Sequence, residues 1–229
     1  MKNDFLNNCF DEVKNKVEAT DKNASSQRKL FKQKFSFSEI PNTEQLIIWD
    51  YIWNNSNDFW VCMQSFLFLE KNMKDKEFLA EVWGTIKKWQ INVDNWGKCD
   101  ALAKIYTKVL EVIPDEVLVQ LKQWNKSANF WDRRQSLVTL LYFSRTKKII
   151  LPYETIIRFV IELIDDKEYY VQKGVGWALK ELHNVYPDET IEFIEKNIKS
   201  ISAIAFSAAT EKLEKAEKEK LKKMRRSGN

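Results

Sequence analysis

The chain of 229 residues is 44% hydrophobic and 31% charged, a composition that fits a folded globular protein and excludes a disordered or membrane-embedded one. Five glycines and four prolines leave few turn formers, which favours long helices over a fold of many strands. The formal net charge of +4 permits nucleic-acid binding without demonstrating it, because binding depends on how charge is placed on one face.

The cysteines and the single histidine argue against a metal site. Cys9, Cys62 and Cys99 are widely spaced, and together with His183 they do not give the ligand number or spacing of a zinc site. We expect free thiols in a reducing cytoplasm. The polar start Met1-Lys2-Asn3-Asp4 argues against a secretory signal, and no apolar run has the length of a membrane helix. The sequence therefore predicts a protein of the bacterial cytoplasm without metal, cofactor or membrane partner.

Apolar residues recur three and four positions apart along nearly the whole chain, which is the period of amphipathic helices. All four prolines fall at expected helix starts, where a missing N–H costs least. The predicted helices cover residues 3–19, 24–36, 43–54, 57–72, 75–90, 95–112, 115–124, 129–145, 153–165, 168–185, 188–198 and 201–225. We expect one domain over residues 1–229, ending in a charged helix or tail from about residue 211 to residue 229.

An aromatic start with nearby basic residues recurs along the second half of the chain. Trp96 precedes Trp131 by 35 residues, and Trp131 precedes Tyr170 by 39. This spacing is typical of two-helix repeats of the HEAT or armadillo kind. The sequence thus predicts an all-α fold, a right-handed solenoid of HEAT-like helix pairs with a concave basic face. The alternative is a helical bundle in which the spacing is accidental.

The predicted helix over residues 168–185 carries large residues on the side away from its core stripe. Trp177 shares that side with Tyr170, Lys173 and Lys180 at spacings of three and four. Aromatic rings and amines on one face are typical of a groove that binds nucleic acid. The sequence leaves open the alternative that Trp177 packs under a neighbouring repeat.

An acid and an indole share one face of the helix that begins near Asn95. Trp96 and Asp100 stand four residues apart and point the same way. Asp100 lies beside the apolar stripe, inside the helix, where no cap is needed, so its carboxylate could stabilise a developing cation. The alternative is a surface acid paired with Lys104.

Two arginines follow on the predicted helix over residues 129–145. Arg134 emerges from the edge of an apolar stripe and needs an anion, either a carboxylate or a phosphate. Arg133 points elsewhere and is the more ordinary surface residue. The sequence Gly174-x-Gly176 lies within a helix and does not follow a strand, so it is not a phosphate loop.

Together these residues resemble the AlkD-type DNA alkylation repair family of HEAT-like glycosylases. The most specific stretch has paired aromatics, a lysine, Gly-Trp, Leu and a basic residue, and it runs Asp166-Lys167-Glu168-Tyr169-Tyr170-Val171-Gln172-Lys173-Gly174-Val175-Gly176-Trp177-Ala178-Leu179-Lys180-Glu181. Three further stretches resemble family motifs: Asn95-Trp96-x-x-x-Asp100, Ser127-x-Asn129-x-Trp131-x-x-Arg134 and Phe35-Ser36-Phe37-Ser38-Glu39-Ile40. The resemblance covers most of the chain and is strongest over residues 94–196.

The resemblance implies a glycosylase that removes cationic alkylated purines from double-stranded DNA, acting without a cofactor and, we expect, as a monomer. It assigns Asp100 as the catalytic carboxylate, Trp96 and Trp177 as residues flanking the lesion, and Arg134 as a phosphate contact. We expect Lys173, Lys180, Tyr170 and Arg133 to bind DNA as well.

Two departures affect the N-terminal part of the expected DNA surface. Leu30 or Phe31 stands where some relatives carry a tyrosine, and Glu39 replaces the motif glycine. Two other classes of function stay open. One is a non-catalytic DNA-binding scaffold, and the other is a solenoid that binds proteins.

Overall fold

The computed structural model describes residues 2–227, and within that range the secondary structure is helical, with no strand. The all-α prediction is therefore confirmed. Contacts divide the chain into two compact units, one up to Asp94 and one from Asn95 onward. The prediction of a single domain over residues 1–229 stays a prediction, and residues 1, 228 and 229 lie outside the described range.

The first unit contains five α-helices and one 3-10 helix among its described residues. Side chains at helix starts accept hydrogen bonds from backbone N–H groups that would otherwise lack partners, as Asn23, Asp58 and Asp75 do. The elements are α1 (Asn3–Glu18), α2 (Ala24–Lys32), α3 (Asn42–Asn55), α4 (Phe59–Asn72), α5 (Lys76–Ile86) and the 3-10 helix Lys87–Asn92.

The second unit contains eight α-helices and one short 3-10 helix among its described residues. Asn95, Asn129 and Ser202 cap three of the helices, while Pro114 and Pro187 each stand in the first turn of another. The elements are α6 (Trp96–Leu110), α7 (Pro114–Asn125), α8 (Phe130–Val138), the 3-10 helix Ser144–Thr146, α9 (Tyr153–Leu163), α10 (Tyr169–His183), α11 (Pro187–Lys196), α12 (Ala203–Ala209) and α13 (Lys215–Ser227).

Two predicted helices differ from the structure by more than four residues. The helix predicted over residues 129–145 stops at Val138, because the chain turns and Phe143 adopts a left-handed conformation with φ of 47°. The helix predicted over residues 201–225 is divided into α12 and α13 by a turn that contains Glu211. No glycine or proline marks that turn, so no local signal predicts it.

Contacts between residues about 35 to 40 positions apart recur within each unit. In the first unit, the Trp53 and Trp89 rings stack with centroids 4.9 Å apart, at a separation of 36 residues. In the second unit, the Trp131 and Tyr170 rings lie 4.8 Å apart. Such spacing is typical of two-helix repeats.

The described residues contain no helix that combines the length and the apolar character needed to cross a membrane.

Candidate active site

Three helices of the second unit carry the predicted site residues. The Asn95 side chain accepts a hydrogen bond from the Lys98 N–H at 3.0 Å and so fixes the start of α6. Trp96 is the first residue of that helix and is 59% exposed. Asp100 follows one turn later, as the spacing predicted.

Asp100 forms an ion pair with Arg134 of α8. The Arg134 Nη2 donates to Asp100 Oδ1 at 2.8 Å, and its Nη1 donates to the Tyr170 carbonyl oxygen at 3.1 Å. The Arg134 side chain is 7% exposed and the Asp100 side chain 25%. The anion that Arg134 requires is therefore a carboxylate of this chain, whereas the sequence also allowed a phosphate. One arginine thus ties together the three helices that carry the predicted site.

Cys99 lies beside this ion pair and is fully buried. Its thiol donates to Gln135 Oε1 at 3.0 Å. Burial raises the pKa of the Cys99 thiol to about 12, so the thiolate is not populated at neutral pH. Cys99 is therefore held as a buried thiol beside the ion pair.

The start of α10 is fixed by a buried amide. The Gln172 Nε2 donates to the carbonyl oxygens of Leu163, Ile164 and Asp166 at 2.9 to 3.2 Å, which satisfies the end of α9 and the following turn. This anchoring holds the exposed face of α10, with Tyr170, Lys173 and Trp177, in a defined position.

Trp177 is partly exposed and its ring has aromatic neighbours on one side. Its centroid lies 6.2 Å from that of Tyr142 and 5.2 Å from that of Phe143. The Lys180 Nζ lies 4.5 Å from the Trp177 ring centroid, a cation–π contact. The Trp177 ring therefore packs against aromatic neighbours and also lines a cavity, while its part in binding nucleic acid stays a prediction.

A cavity of about 520 Å³ brings most of the predicted residues together. Its lining residues are Trp96, Arg134, Tyr169, Tyr170, Lys173, Trp177, Lys180, Ala208 and Glu211. Asp100 is bound to Arg134, which is one of them. The cavity therefore combines indole and phenol rings with cationic side chains, a combination suited to a nucleic-acid ligand.

Sequence reasoning assigned no site role to Tyr169, which it noted only within the motif, and it did not single out Ala208 and Glu211. Both lie near the break between α12 and α13, inside a segment predicted as one continuous helix. The Glu211 Oε2 accepts a hydrogen bond from the Lys180 Nζ at 3.0 Å. The sequence signal was slight, since a lone acid in a highly charged segment indicates only a solvated surface.

Arg133 does not line this cavity. Its Nε donates to Asp166 Oδ2 at 2.6 Å, and its Nη1 donates to the carbonyl oxygens of Ser127 and Ala128 at 2.9 Å each. The side chain is 17% exposed. These contacts tie α8 to the segments before α8 and before α10, so the geometry gives Arg133 a structural role and offers no support for the predicted DNA contact.

Two glycines of α10 allow the neighbouring helices to approach. A Cβ at Gly176 would lie 2.5 Å from the Ala205 carbonyl oxygen and 2.6 Å from the Ala208 Cβ, so only glycine fits against α12. A Cβ at Gly174 would lie 3.3 Å from Leu137 Cδ1 and 3.5 Å from Arg134 Cγ. The Gly-x-Gly sequence therefore serves helix packing on both sides of the cavity.

Among residues 2–227, no three histidine, cysteine or acidic side chains gather in a way that would hold a metal ion. The groups that the site presents are a carboxylate, aromatic rings and cationic side chains.

The sequence of residues 13–213 matches a family model described as DNA alkylation repair enzyme. The chain belongs to the DNA alkylation repair enzyme family. The resemblance drawn from the motifs of α6, α8 and α10 is thereby confirmed, and the membership supports a role in DNA repair that involves binding DNA. No curated protein matches the chain in sequence.

Solved structures of this family share the fold. A predicted DNA alkylation repair enzyme from Enterococcus faecalis aligns with a TM-score of 0.68 and 18% identity, covering 84% of this chain and 87% of the other. The crystal structure of AlkD2 from Streptococcus mutans aligns with a TM-score of 0.61 and 20% identity, covering 91% of this chain and 99% of the other. At such identities the likeness concerns the fold and not the chemistry.

The N-terminal motif of this DNA alkylation repair protein belongs to the core of the first unit. Phe35 and Phe37 are 4% and 2% exposed, and their ring centroids lie 5.5 and 5.1 Å from that of Trp49. Glu39, at the position of the family glycine, pairs with Lys34 on the surface. Phe35 and Phe37 thus contribute to the packed core of the first unit.

Proposed function

We propose that the protein is a DNA glycosylase that hydrolyses the N-glycosidic bond of cationic alkylated purines, such as 3-methyladenine and 7-methylguanine, in base excision repair. The observation that carries this proposal is the Asp100 carboxylate, fixed by the buried Arg134 beside a cavity lined by indoles and lysines. Alkylation at N3 or N7 makes the base a cation that leaves as a neutral molecule. The enzyme then needs to stabilise the sugar and has little need to protonate the base.

The reaction is a hydrolysis in which Asp100 has two tasks. The bond between C1′ and the base nitrogen breaks and its electron pair goes to the base, leaving an oxocarbenium-like sugar. A water oxygen bonds to C1′, and Asp100 accepts the proton that the water releases. Arg134 holds Oδ1, and the proposal assigns Oδ2 to orient the water.

The attraction between Asp100 and a cationic sugar would be large enough to change the rate of base release. A carboxylate about 4 Å from a unit positive charge gains about 4 kcal/mol at an effective dielectric constant of about 20. If that attraction acts only in the transition state, it corresponds to a rate factor of about a thousand. The indole faces of Trp96 and Trp177 would add cation–π attraction to the same centre.

Arg134 acts in this proposal as a positioning residue, because it holds Asp100 and touches no reacting atom. Both of its Nη atoms donate within the protein. Contact with a DNA phosphate stays a prediction for Arg134, and Lys173 and Lys180 are the other cationic groups that line the cavity.

The contacts that recur at about 35 to 40 residues support the interpretation of both units as HEAT-like repeats. We propose that the enzyme acts as a monomer on double-stranded DNA in the cytoplasm.

The test compares base release by the wild type and by Asp100→Asn. The amide keeps an acceptor for Arg134 but carries no charge, so release of methylpurines from N-methylated duplex DNA should fall about a thousandfold while DNA binding changes only slightly. Asp165→Asn is the matched control, since Asp165 is exposed in the turn after α9. Thermal melting of each variant checks folding. Equal release by Asp100→Asn and wild type would remove Asp100 from the chemistry.

A second candidate is a non-catalytic DNA-binding scaffold. It is favoured by the ion pair itself, because an Asp100 that holds Arg134 stabilises the packing of α6 on α8 without any chemistry. Salt-sensitive DNA binding by the wild type without release of any methylpurine would favour this candidate.

A further inference from the structure

Glu211 is the one acid among the described residues that line the cavity. It stands in the turn after α12, its side chain is 59% exposed, and it holds the Lys180 ammonium at 3.0 Å. Lys180 also lies over the Trp177 ring and is itself 9% exposed. The ammonium is therefore already compensated by a carboxylate and a ring of the protein.

This carboxylate opposes binding of ordinary DNA. The hydrogen bond from Lys180 lowers the pKa of Glu211, so the group is ionised at neutral pH. A phosphodiester that enters the cavity meets that negative charge, and it must share or displace Glu211 to reach Lys180. A DNA-binding surface would bind undamaged DNA more tightly without it.

A positive charge on the base adds an attraction to Glu211 that opposes its repulsion of phosphates. A cationic purine near Trp96 and Trp177 is attracted by a carboxylate in the same cavity, whereas a neutral purine is not. We propose that Glu211 is a specificity-determining residue that makes the cavity favour DNA with a cationic base over undamaged DNA. This inference rests on the proposed glycosylase function and adds to it a residue that acts on lesion preference and not on bond cleavage.

The test measures two dissociation constants for each variant by fluorescence anisotropy. One duplex carries a single 7-methylguanine on a 2′-fluorinated sugar, which resists base loss, and the other carries guanine at that position. Lesion preference is the dissociation constant for the undamaged duplex divided by that for the 7-methylguanine duplex. Glu211→Gln should lower this ratio about two- to five-fold, the range expected of an exposed charge, mainly through tighter binding of the undamaged duplex. The DNA affinity of Glu211→Gln should also fall more steeply as the salt concentration rises, with a change in slope that corresponds to about one additional phosphate contact.

Matched variants separate this role from a structural one. Glu219→Gln is the control, because Glu219 is 48% exposed and pairs with Lys222 at 2.8 Å on α13, yet does not line the cavity. It should leave the ratio unchanged. Glu211→Asp keeps the charge and should restore the wild-type preference.

The outcomes distinguish the inference from the proposed function. A wild type that releases methylpurines, with equal preference in Glu211→Gln and wild type, overturns the role of Glu211 and leaves the glycosylase function in place. A wild type with no lesion preference in binding also overturns the inference, whether or not bases are released. A wild type that releases no methylpurine overturns the proposed function, and with it this inference.

Discussion

The two units of the molecule bury different kinds of side chain. In the first unit, every buried polar side chain among the described residues is neutral, and four tryptophans are no more than 2% exposed. In the second unit, the buried residues include four with charged side chains: Lys98, Arg134, Lys180 and Glu181. Burying a charge costs free energy unless it is paired, and here Arg134 is paired with Asp100 and Lys180 with Glu211. These two cationic residues line the cavity of the second unit.

The tryptophans of the two units also differ in their exposure. Trp49 is enclosed by Phe35, Phe37 and Phe68, whereas Trp96 is more than half exposed at a helix start. An abundance of tryptophan in the sequence therefore does not identify a binding surface. The surroundings of each ring differ, because Trp177 has a lysine over its ring whereas Trp49 packs against three phenylalanine rings.

The first unit has a basic cavity of its own, of about 500 Å³, lined by Arg28, Phe31, Lys32, Lys34, Leu67, Glu70 and Lys71. There Arg28 is paired with Glu70, and Lys34 with Glu39. No indole lines it, so it lacks the aromatic pair that the cavity of the second unit presents.

The largest expected effect contrasts two tryptophans. Trp49→Ala removes a fully packed indole and should lower the free energy of unfolding by about 3 to 5 kcal/mol, measured by urea titration. Trp96→Ala should cost less than about 1 kcal/mol, because the ring is largely exposed, yet it should lower methylpurine release. A large loss of stability in Trp96→Ala would contradict the contrast between a packed and a functional indole.

The second prediction concerns a buried charge that responds to pH. The Lys147 side chain is 1% exposed and its Nζ donates to Thr107 Oγ1 at 2.7 Å. Burial lowers the pKa of Lys147 to about 8 from the ordinary 10.5. Between these two values the unfolded chain binds the proton and the folded chain does not, so stability rises with pH across that window. The gain should approach about 3 kcal/mol.

This pH effect is measured as a difference between variants. The free energy of unfolding of the wild type minus that of Lys147→Met should increase from pH 8 to pH 10.5 and be flat below pH 8. Lys148→Met, at an exposed neighbour, serves as the control. A difference that falls as the pH rises would mean that Lys147 is stabilised as a cation in the folded protein.

The smallest expected effects contrast two glycines within helices. Gly176→Ala places a methyl group against the backbone of α12 and should cost about 2 kcal/mol, even after the gain in helix propensity. At Gly84 an added Cβ would lie more than 4 Å from every described atom outside its chain neighbours and its own helix backbone, so Gly84→Ala should stabilise by somewhat less than about 1 kcal/mol. Thermal melting should show a lower melting temperature for Gly176→Ala and a higher one for Gly84→Ala. Equal shifts in the two variants would show that the approach of α12 to α10 is not fixed at Gly176.

Much of the fold follows from local signals. The apolar period and the four prolines placed most helices within a few residues, because helix starts depend on nearby groups. The end of α8 and the break before α13 were missed. The first depends on the left-handed turn at Phe143, and the second lies in a stretch without a helix breaker.

The candidate site was predictable in part. The shared face of Trp96 and Asp100 follows from helical spacing alone. The pairing of Asp100 with Arg134 joins residues 34 positions apart, so local spacing could not choose between Arg134 and Lys104. Glu211 enters the cavity only because the chain turns after α12, and that turn was not foreseen.

The contact at Gly176 separates the packing of the helices from the charge of the cavity. Backbone atoms of α10 and α12 approach each other there together with the Ala208 Cβ, so a residue larger than alanine at position 208 would disturb the spacing of the two helices. Glu211 stands beyond this contact, in the turn after α12, and its side chain is 59% exposed. A substitution at Glu211 can therefore change the charge of the cavity while the packing of α10 on α12 is kept.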